Sequence, residues 1–376
     1  MAENEAKQNN NQVLAKKYSK IKQTLSVIET VIMFAVLLVI ILSGLNKTFE
    51  KISYGISENN YIAVLLFLGL VGMIEGVISF PLDFYSGYIL EHKYNLSNQT
   101  LFRYFLEKGK SFLIGLLFGI PVLLVFYFIL RNYPVSWWFI FSIFMFLFSV
   151  VIARIAPVII FPLFYKFRQI DNESLKIKIL EMCDKNNVQV KGIFTFDMSK
   201  NTKKANAAFT GLGKSKRIII GDTLIENFTE DEIISVFAHE LGHYKKRHII
   251  KMIAFSTILT FAGLYITSFL YTKSLPLFHL DFVYSVSALP VLFLFLSIFG
   301  LVTSPLTNIQ SRKYEWEADN FAVDIGKENS SFASALEKLA EQNLADKNPN
   351  KIIEFLFYSH PSLQKRIDNA LKKRQA

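Results

Sequence analysis

A single cysteine, Cys183, stands in a chain of 376 residues. That scarcity excludes an intramolecular disulfide and any metal site built from several thiolates, so nothing in the soluble parts requires an oxidising compartment. Cys183 itself reads as a small, half-buried hydrophobe. Charge is also scarce: 19% of residues are Asp, Glu, Lys or Arg, against 52% hydrophobic. Disorder, a coiled coil or a nucleic-acid-binding tail would need the opposite balance. No internal repeat is visible, and no low-complexity segment beyond a polar, Asn- and Lys-rich leader at residues 1–23. The net charge of +10 would suggest nucleic acid on a soluble protein, but here it must first be tested against membrane topology.

What the chain has in abundance is long apolar runs. Six of them, at about 24–45, 61–80, 111–130, 136–160, 249–272 and 283–304, are long enough to cross roughly 30 Å of hydrocarbon at about 1.5 Å per residue. The first is too long for a signal-peptide core and lacks a small-residue cleavage site, so it reads as a retained anchor. The fourth continues through Arg154, Pro157 and Pro162 to Phe167, where a bend, a break and a seventh span are all open.

Lys and Arg number five in residues 1–23, four in 81–110 and fifteen in 165–248, whereas the alternate loops hold Lys47 and Lys51, Arg131, and Lys273. The positive-inside rule therefore predicts both termini and the 165–248 segment on the cytoplasmic side. The basic excess reads as topology and attraction to anionic lipid, and no nucleic-acid partner is expected.

The expected organisation is a leader (1–23), N-terminal membrane helices (24–164), a cytoplasmic α+β region (165–248), two further spans (249–304) and a C-terminal helical part (305–376). Helical spacing over 172–187 and β-rich runs at Gly192–Phe196, Ala205–Thr210 and Arg217–Gly221 predict a small sheet beside helices. Amphipathic helices are predicted over 305–346 and 361–374.

The chemistry is carried by Ala238-His239-Glu240-Leu241-Gly242-His243. A capping box from Thr229 to Glu232 announces the start of its helix. Residues four apart on a helix share a face, so His239 and His243 converge on one point and suit a Zn²⁺ ion, with Glu240 beside a metal-bound water. Zinc lowers that water's pKa to about 7, and the carboxylate accepts its proton as a carbonyl is attacked. A third protein ligand is required. His248 is one residue out of register with the arrangement in which a third His follows ten residues after the first, and reads as an interfacial side chain. Glu315 and Asp319 share a face of a later helix, where Glu315 can ligate and Asp319 can hydrogen-bond a ligand imidazole. A solvated acidic face remains the plain alternative. Glu317 points elsewhere and is expected in solvent.

With these residues in view, the chain resembles the integral-membrane zinc endopeptidases of the CAAX prenyl protease 1 type, from about residue 60 to the C-terminus. His239-Glu240-Leu241-Gly242-His243 with Tyr244, Lys245 and His248 resembles that family's catalytic helix. Ser311-Arg312-Lys313-Tyr314-Glu315 through Ala318-Asp319, with Phe321-Ala322, resembles its third-ligand helix. Tyr358-Ser359-His360-Pro361-Ser362 with Arg366 resembles its C-terminal signature. Asn206-Ala207-Ala208-Phe209, and Lys216-Arg217-Ile218 through Asp222-Thr223-Leu224, resemble its strand region, and Glu91-His92-Lys93 with Asn98-Gln99-Thr100-Leu101 resembles an early loop.

The resemblance implies a mainly α polytopic membrane protein, a barrel of six or seven helices around a chamber, with a small α+β zinc-metalloprotease domain. It implies His239, His243 and Glu315 as zinc ligands, Glu240 as general base, and Asp319 as the residue that orients a ligand. His360 would stabilise the oxyanion, where alone it reads as a helix-start residue. Asn206 and Ala207 would lie on an edge strand that pairs with substrate, with an ordinary turn as the competing role for Asn206. Arg366 would bind substrate or pair with a carboxylate in the active-site wall.

The implied reaction removes the last three residues of a prenylated CAAX peptide. An HtpX-like quality-control protease without prenyl specificity is the first rival reading, and an inactive membrane scaffold the second. The expected partners are a peptide or protein substrate and the lipid bilayer. The expected location is the endoplasmic reticulum membrane in a eukaryote or the plasma membrane in a prokaryote.

Overall fold

The computed structural model describes residues 2–210, 217–326 and 329–372. Lys216 and the end of the helix predicted over 361–374 lie outside that set. Six helices among the described residues are long and apolar enough to cross a membrane: Asn10–Leu42, Asn60–Lys93, Leu101–Asn132, Trp137–Phe164, His248–Phe278 and Val286–Ile325. They are spans 1 to 6. Their outward faces are unusually apolar, with Val31, Val77, Leu117, Val151, Ile258 and Val302 all exposed. Exposed side chains of this kind are stable only against hydrocarbon.

The run beyond residue 157 is a continuation of span 4. Ala156–Ile160 forms one π-helical turn around Pro157, followed by Phe161–Phe164. A proline removes an intrahelical donor and crowds the preceding turn, and the wider turn absorbs both without ending the helix. From Ala2 onward the leader is likewise helical and continuous with span 1. Its Tyr18 is buried against Leu90, Leu96 and Leu344 and donates to Glu91 Oε1 at 2.5 Å. Lys22 and Lys204 each pair with the same carboxylate at 2.9 Å.

Between spans 4 and 5 lies a four-stranded sheet of β1 (Phe167–Gln169), β2 (Ile193–Phe196), β3 (Ala207–Thr210) and β4 (Arg217–Gly221), in the order β1-β2-β4-β3. The β2–β4 pair is parallel and the other two are antiparallel. β1, at three residues, is too short to carry a periodic signal in the sequence. The helix Glu173–Lys185 packs Leu175, Ile179 and Cys183 on Ile193, Ile218 and Ile220, so the lone thiol is fully in the core. Burial pushes its pKa up to about 11, which leaves it an inert thiol.

The third-ligand helix is no separate element: Leu289–Ile325 is one continuous helix that begins as span 6. Pro305 sits inside it without ending it, as membrane helices often tolerate. A C-terminal group of helices, Asn329–Gln342, Lys351–Phe357 and Leu363–Lys372, closes over the sheet domain. The whole is a mainly α membrane chamber with a small α+β domain at one end.

Candidate metal centre

Helix Glu230–Lys245, the metal helix, starts as its sequence dictates. Thr229 Oγ1 accepts from Glu232 N–H, and Glu232 Oε2 accepts from Thr229 N–H at 2.8 Å, completing the capping box. Glu232 also accepts from Ser334 Oγ at 2.6 Å and Lys338 Nζ at 2.7 Å, which fastens the metal helix to Asn329–Gln342. Burial alone would raise the Glu232 pKa, but Lys338, Ser334 and the Thr229 N–H together hold it below the usual carboxylate value.

The metal helix crosses span 6 at Gly242. A Cβ built there would lie 3.0 Å from Ala318 Cα and 3.1 Å from Ala318 O. Only a glycine lets the two backbones come this close, and that approach brings Glu315 to the histidines. His239 Nε2 and His243 Nε2 are 3.1 Å apart, His243 Nε2 is 3.2 Å from Glu315 Oε1, and His239 Nε2 is 3.4 Å from Glu315 Oε2.

These side chains fit a metal ion on three counts. A tetrahedral ion with bonds of about 2.0–2.1 Å has ligand-to-ligand edges of about 3.3 Å. The two imidazole nitrogens are near that separation, each has one oxygen of the Glu315 carboxylate near it too, and one ligand atom from each of the three residues lies within 4.8 Å of the others. Glu315 Oε2 is buried without a well-formed hydrogen bond, with His239 Nε2 at 3.4 Å and Arg366 Nη2 at 3.5 Å beside it, so its lone pairs can turn to a cation. Finally, burial would lower the His239 pKa, but the neighbouring carboxylates of Asp319 and Glu315 outweigh it and raise it to about 9. The two carboxylates therefore favour positive charge in this pocket.

Each imidazole is held from behind. His239 Nδ1 lies 2.8 Å from Asp319 Oδ1, and a carboxylate can only accept, so Nδ1 carries the hydrogen and Nε2 offers its lone pair. Asp319 is fully buried and receives Arg366 Nε at 2.8 Å and Nη2 at 2.7 Å. Arg366 thus pairs with a carboxylate in the wall of the site.

His243 has a different support. Its Nδ1 is 2.9 Å from His248 Nδ1, and His248 Nε2 is 3.1 Å from Glu317 Oε2. His248 is buried and stacks on Tyr314 at 4.4 Å. It is therefore no interfacial side chain, and Glu317 is not left to solvent. Two residues from Glu315, Glu317 faces another side of the helix, and that side meets the start of span 5. Arg247, left-handed at φ 58°, turns the chain so that His248 faces back toward His243. Nothing local in the sequence signals this contact.

Glu240 lies where two cavities meet. One, of about 520 Å³, runs among the membrane helices and is lined by Met145, Phe146, Met252 and Ile253 as well as Glu240 and His243. The other, of about 320 Å³, is bounded by Asn206, Ala207, His239, Glu315, His360 and Arg366. His360 Nε2 lies 3.3 Å from Glu315 Oε1, with 59% of its side chain exposed.

β3 is the outer strand of the sheet beside the second cavity. Asn206 C=O accepts from Gly221 N–H within the sheet. By the alternation of an antiparallel ladder, the N–H and C=O of Ala207 then turn to the open edge. Phe209 N–H, on that same side, donates to Glu240 Oε2 at 3.3 Å. Asn206 thus offers the cavity only its exposed side chain, and Ala207 offers its backbone.

The model for peptidase family M48 matches residues 169–374, and the model described as the CAAX prenyl protease N-terminal region, five membrane helices, matches residues 6–166. The chain is 29% identical over 367 residues to the uncharacterized metalloprotease YhfN of Bacillus subtilis, covering 96% of this chain and 86% of that protein. It is 30% identical to CAAX prenyl protease 1 of Saccharomyces cerevisiae, covering 81% and 71%. It is 32% identical to the CAAX prenyl protease 1 homolog of Arabidopsis thaliana, covering 82% and 74%. The crystal structure of S. mikatae Ste24p superposes with a TM-score of 0.86 at 27% identity, covering 96% of this chain and 89% of that one.

Proposed function

Since the chain belongs to peptidase family M48 and is a multi-pass membrane metalloprotease, we propose that it uses zinc to remove the last three residues of prenylated CAAX peptides. The observation that carries this reading is the pairing of cavities at Glu240, an apolar one among membrane helices and a second against an open strand edge. A peptide whose lipid enters the first and whose C-terminal residues lie along the second would place its scissile bond between them.

His239, His243 and Glu315 hold the zinc. When bound, the ion supplies Lewis acidity to the carbonyl and lowers the pKa of water at the site. Glu240, between the two cavities, takes the proton from the attacking water and returns it to the leaving amine. His360 donates toward the oxyanion as charge develops there. Asp319, held by Arg366, fixes the tautomer and direction of His239. Ala207 pairs with the substrate backbone, as edge strands do in peptide recognition, and Asn206 contacts it through its side chain. Arg366 acts through Asp319, so its part is positioning. Residues 165–248 and 305–376 form the protease domain around the membrane helices. The Lys and Arg distribution supports a cytoplasmic side for that domain and both termini, on the endoplasmic reticulum in a eukaryote or the plasma membrane in a prokaryote.

The test is to purify the protein, measure bound zinc, and compare wild type with Glu240→Gln on a farnesylated CAAX peptide and its unprenylated counterpart. One zinc per chain and Glu240-dependent cleavage favouring the farnesylated peptide are expected. Equal cleavage of both would remove prenyl specificity and favour a quality-control role. Stoichiometric zinc with no Glu240-dependent cleavage of either would overturn the proposed reaction.

A further inference from the structure

The open edge of β3 has a definite end. Free backbone groups come at every second residue, so Phe209, Ala207 and, beyond the strand, Ala205 face the same side. Phe209 N–H points to Glu240, and Ala207 borders the second cavity. At Ala205 the edge is already taken. Asn343 Oδ1 accepts from Ala205 N–H at 2.8 Å, and Asn343 Nδ2 donates to Ala205 C=O at 3.2 Å. One side-chain amide thus makes both bonds that a paired peptide strand would make. Two residues earlier, Lys203 C=O accepts from Gln342 Nε2 at 2.7 Å, and Lys203 N–H donates to Leu96 C=O at 2.9 Å. Asn343 and Ala205 both line the cavity that holds His239, Glu240 and His360, so the block stands in the cavity itself.

We propose that Asn343 is a stop that sets how many residues a substrate extends past its scissile bond. The proposal rests on the reading above, in which the lipid occupies the apolar cavity and the released residues therefore occupy the other. From Phe209, beside Glu240, to Ala205 is four residue steps, about 13 Å at about 3.3 Å per step. An extended tripeptide of about 10 Å fits between Glu240 and the clasp, whereas five residues, about 16 Å, run into it. Asn343 is thus a specificity-determining residue that never touches the reacting atoms.

The test is a series of farnesylated peptides with three, four, five and seven residues after the modified cysteine, presented to the full-length protein in lipid nanodiscs. Cleavage is followed by mass spectrometry with wild type and Asn343→Ala. Binding of the same series is measured by fluorescence anisotropy with Glu240→Gln, alone and combined with Asn343→Ala, and needs no turnover. Both kcat/KM and affinity are expected to fall at least about tenfold between three and five residues, and Asn343→Ala to flatten that step to less than about threefold. Asn343→Ser, which keeps one bonding atom near Ala205, carries the same expectation if Asn343→Ala does not accumulate.

A merely structural role would lower all lengths together and leave their ratio intact, and that outcome overturns the proposal. So does a wild-type profile without a length step, or no binding at any length. If binding breaks at five residues but no peptide is cleaved in a Glu240-dependent way, the proposed reaction fails and the stop stands.

Discussion

A methyl group added at Gly242 should damage the metal centre more than it damages the fold. In Gly242→Ala the new Cβ meets Ala318 Cα at 3.0 Å, Ala318 O at 3.1 Å and Phe321 Cβ at 3.2 Å. Carbon atoms settle at about 3.5–4.0 Å, so the helices must part by a few tenths of an ångström. The first two contacts are backbone, and no rotamer change relieves them. Overpacking of this kind costs about 1–3 kcal/mol of stability.

The shift falls on the stretch of span 6 between Glu315 and Asp319, and a metal site needs its ligands within about 0.5 Å of their places. We therefore expect zinc affinity to fall about tenfold and kcat/KM to fall about 10- to 100-fold, with the protein still folded. Competition against a chromogenic chelator measures the first, peptide cleavage the second, and thermal unfolding in detergent checks the third. Ala318→Gly should not rescue the variant, because it removes neither backbone atom. Unchanged zinc affinity and cleavage in Gly242→Ala would refute the reasoning, and rescue by Ala318→Gly would show that the clash lies with a side chain.

Three further outcomes follow from the contacts around the site. Glu317→Ala, which removes the acceptor behind His248, should weaken zinc binding about tenfold; unchanged chelator competition would show that His243 needs no such support. Arg366→Ala leaves Asp319 buried and without its guanidinium, so about 3–5 kcal/mol of stability should be lost, read as a fall in the unfolding midpoint. Glu232→Gln tests the fastening of the metal helix through pH. The folded-state pKa of Glu232 is depressed, so its charge stabilises the fold above the ordinary carboxylate value of 4.5 and that stability is lost as pH falls through the folded-state pKa. Glu232→Gln should therefore unfold at a lower temperature than wild type at pH 7, and the gap should close in acid; a gap independent of pH would contradict the assignment.

What the sequence determined by itself is everything set by local spacing. Apolar runs long enough for hydrocarbon gave six spans, because in a bilayer a continuous helix is the way a single segment satisfies its own backbone. His239 and His243 share a face because they are one turn apart, and Thr229 with Glu232 fixes where that helix begins. Glu315 and Asp319 were legible as a pair for the same reason.

Tertiary structure alone decided the rest. Span 6 runs on unbroken to carry Glu315, Gly242 sets how near it comes, and Arg247 turns His248 back onto His243. Glu317, read as solvated from its place on the helix, is claimed by a residue 69 positions earlier. Asn343 meets Ala205 across 138 positions. No periodicity encodes such meetings, since they depend on how rigid elements pack and not on the order of residues within any one of them.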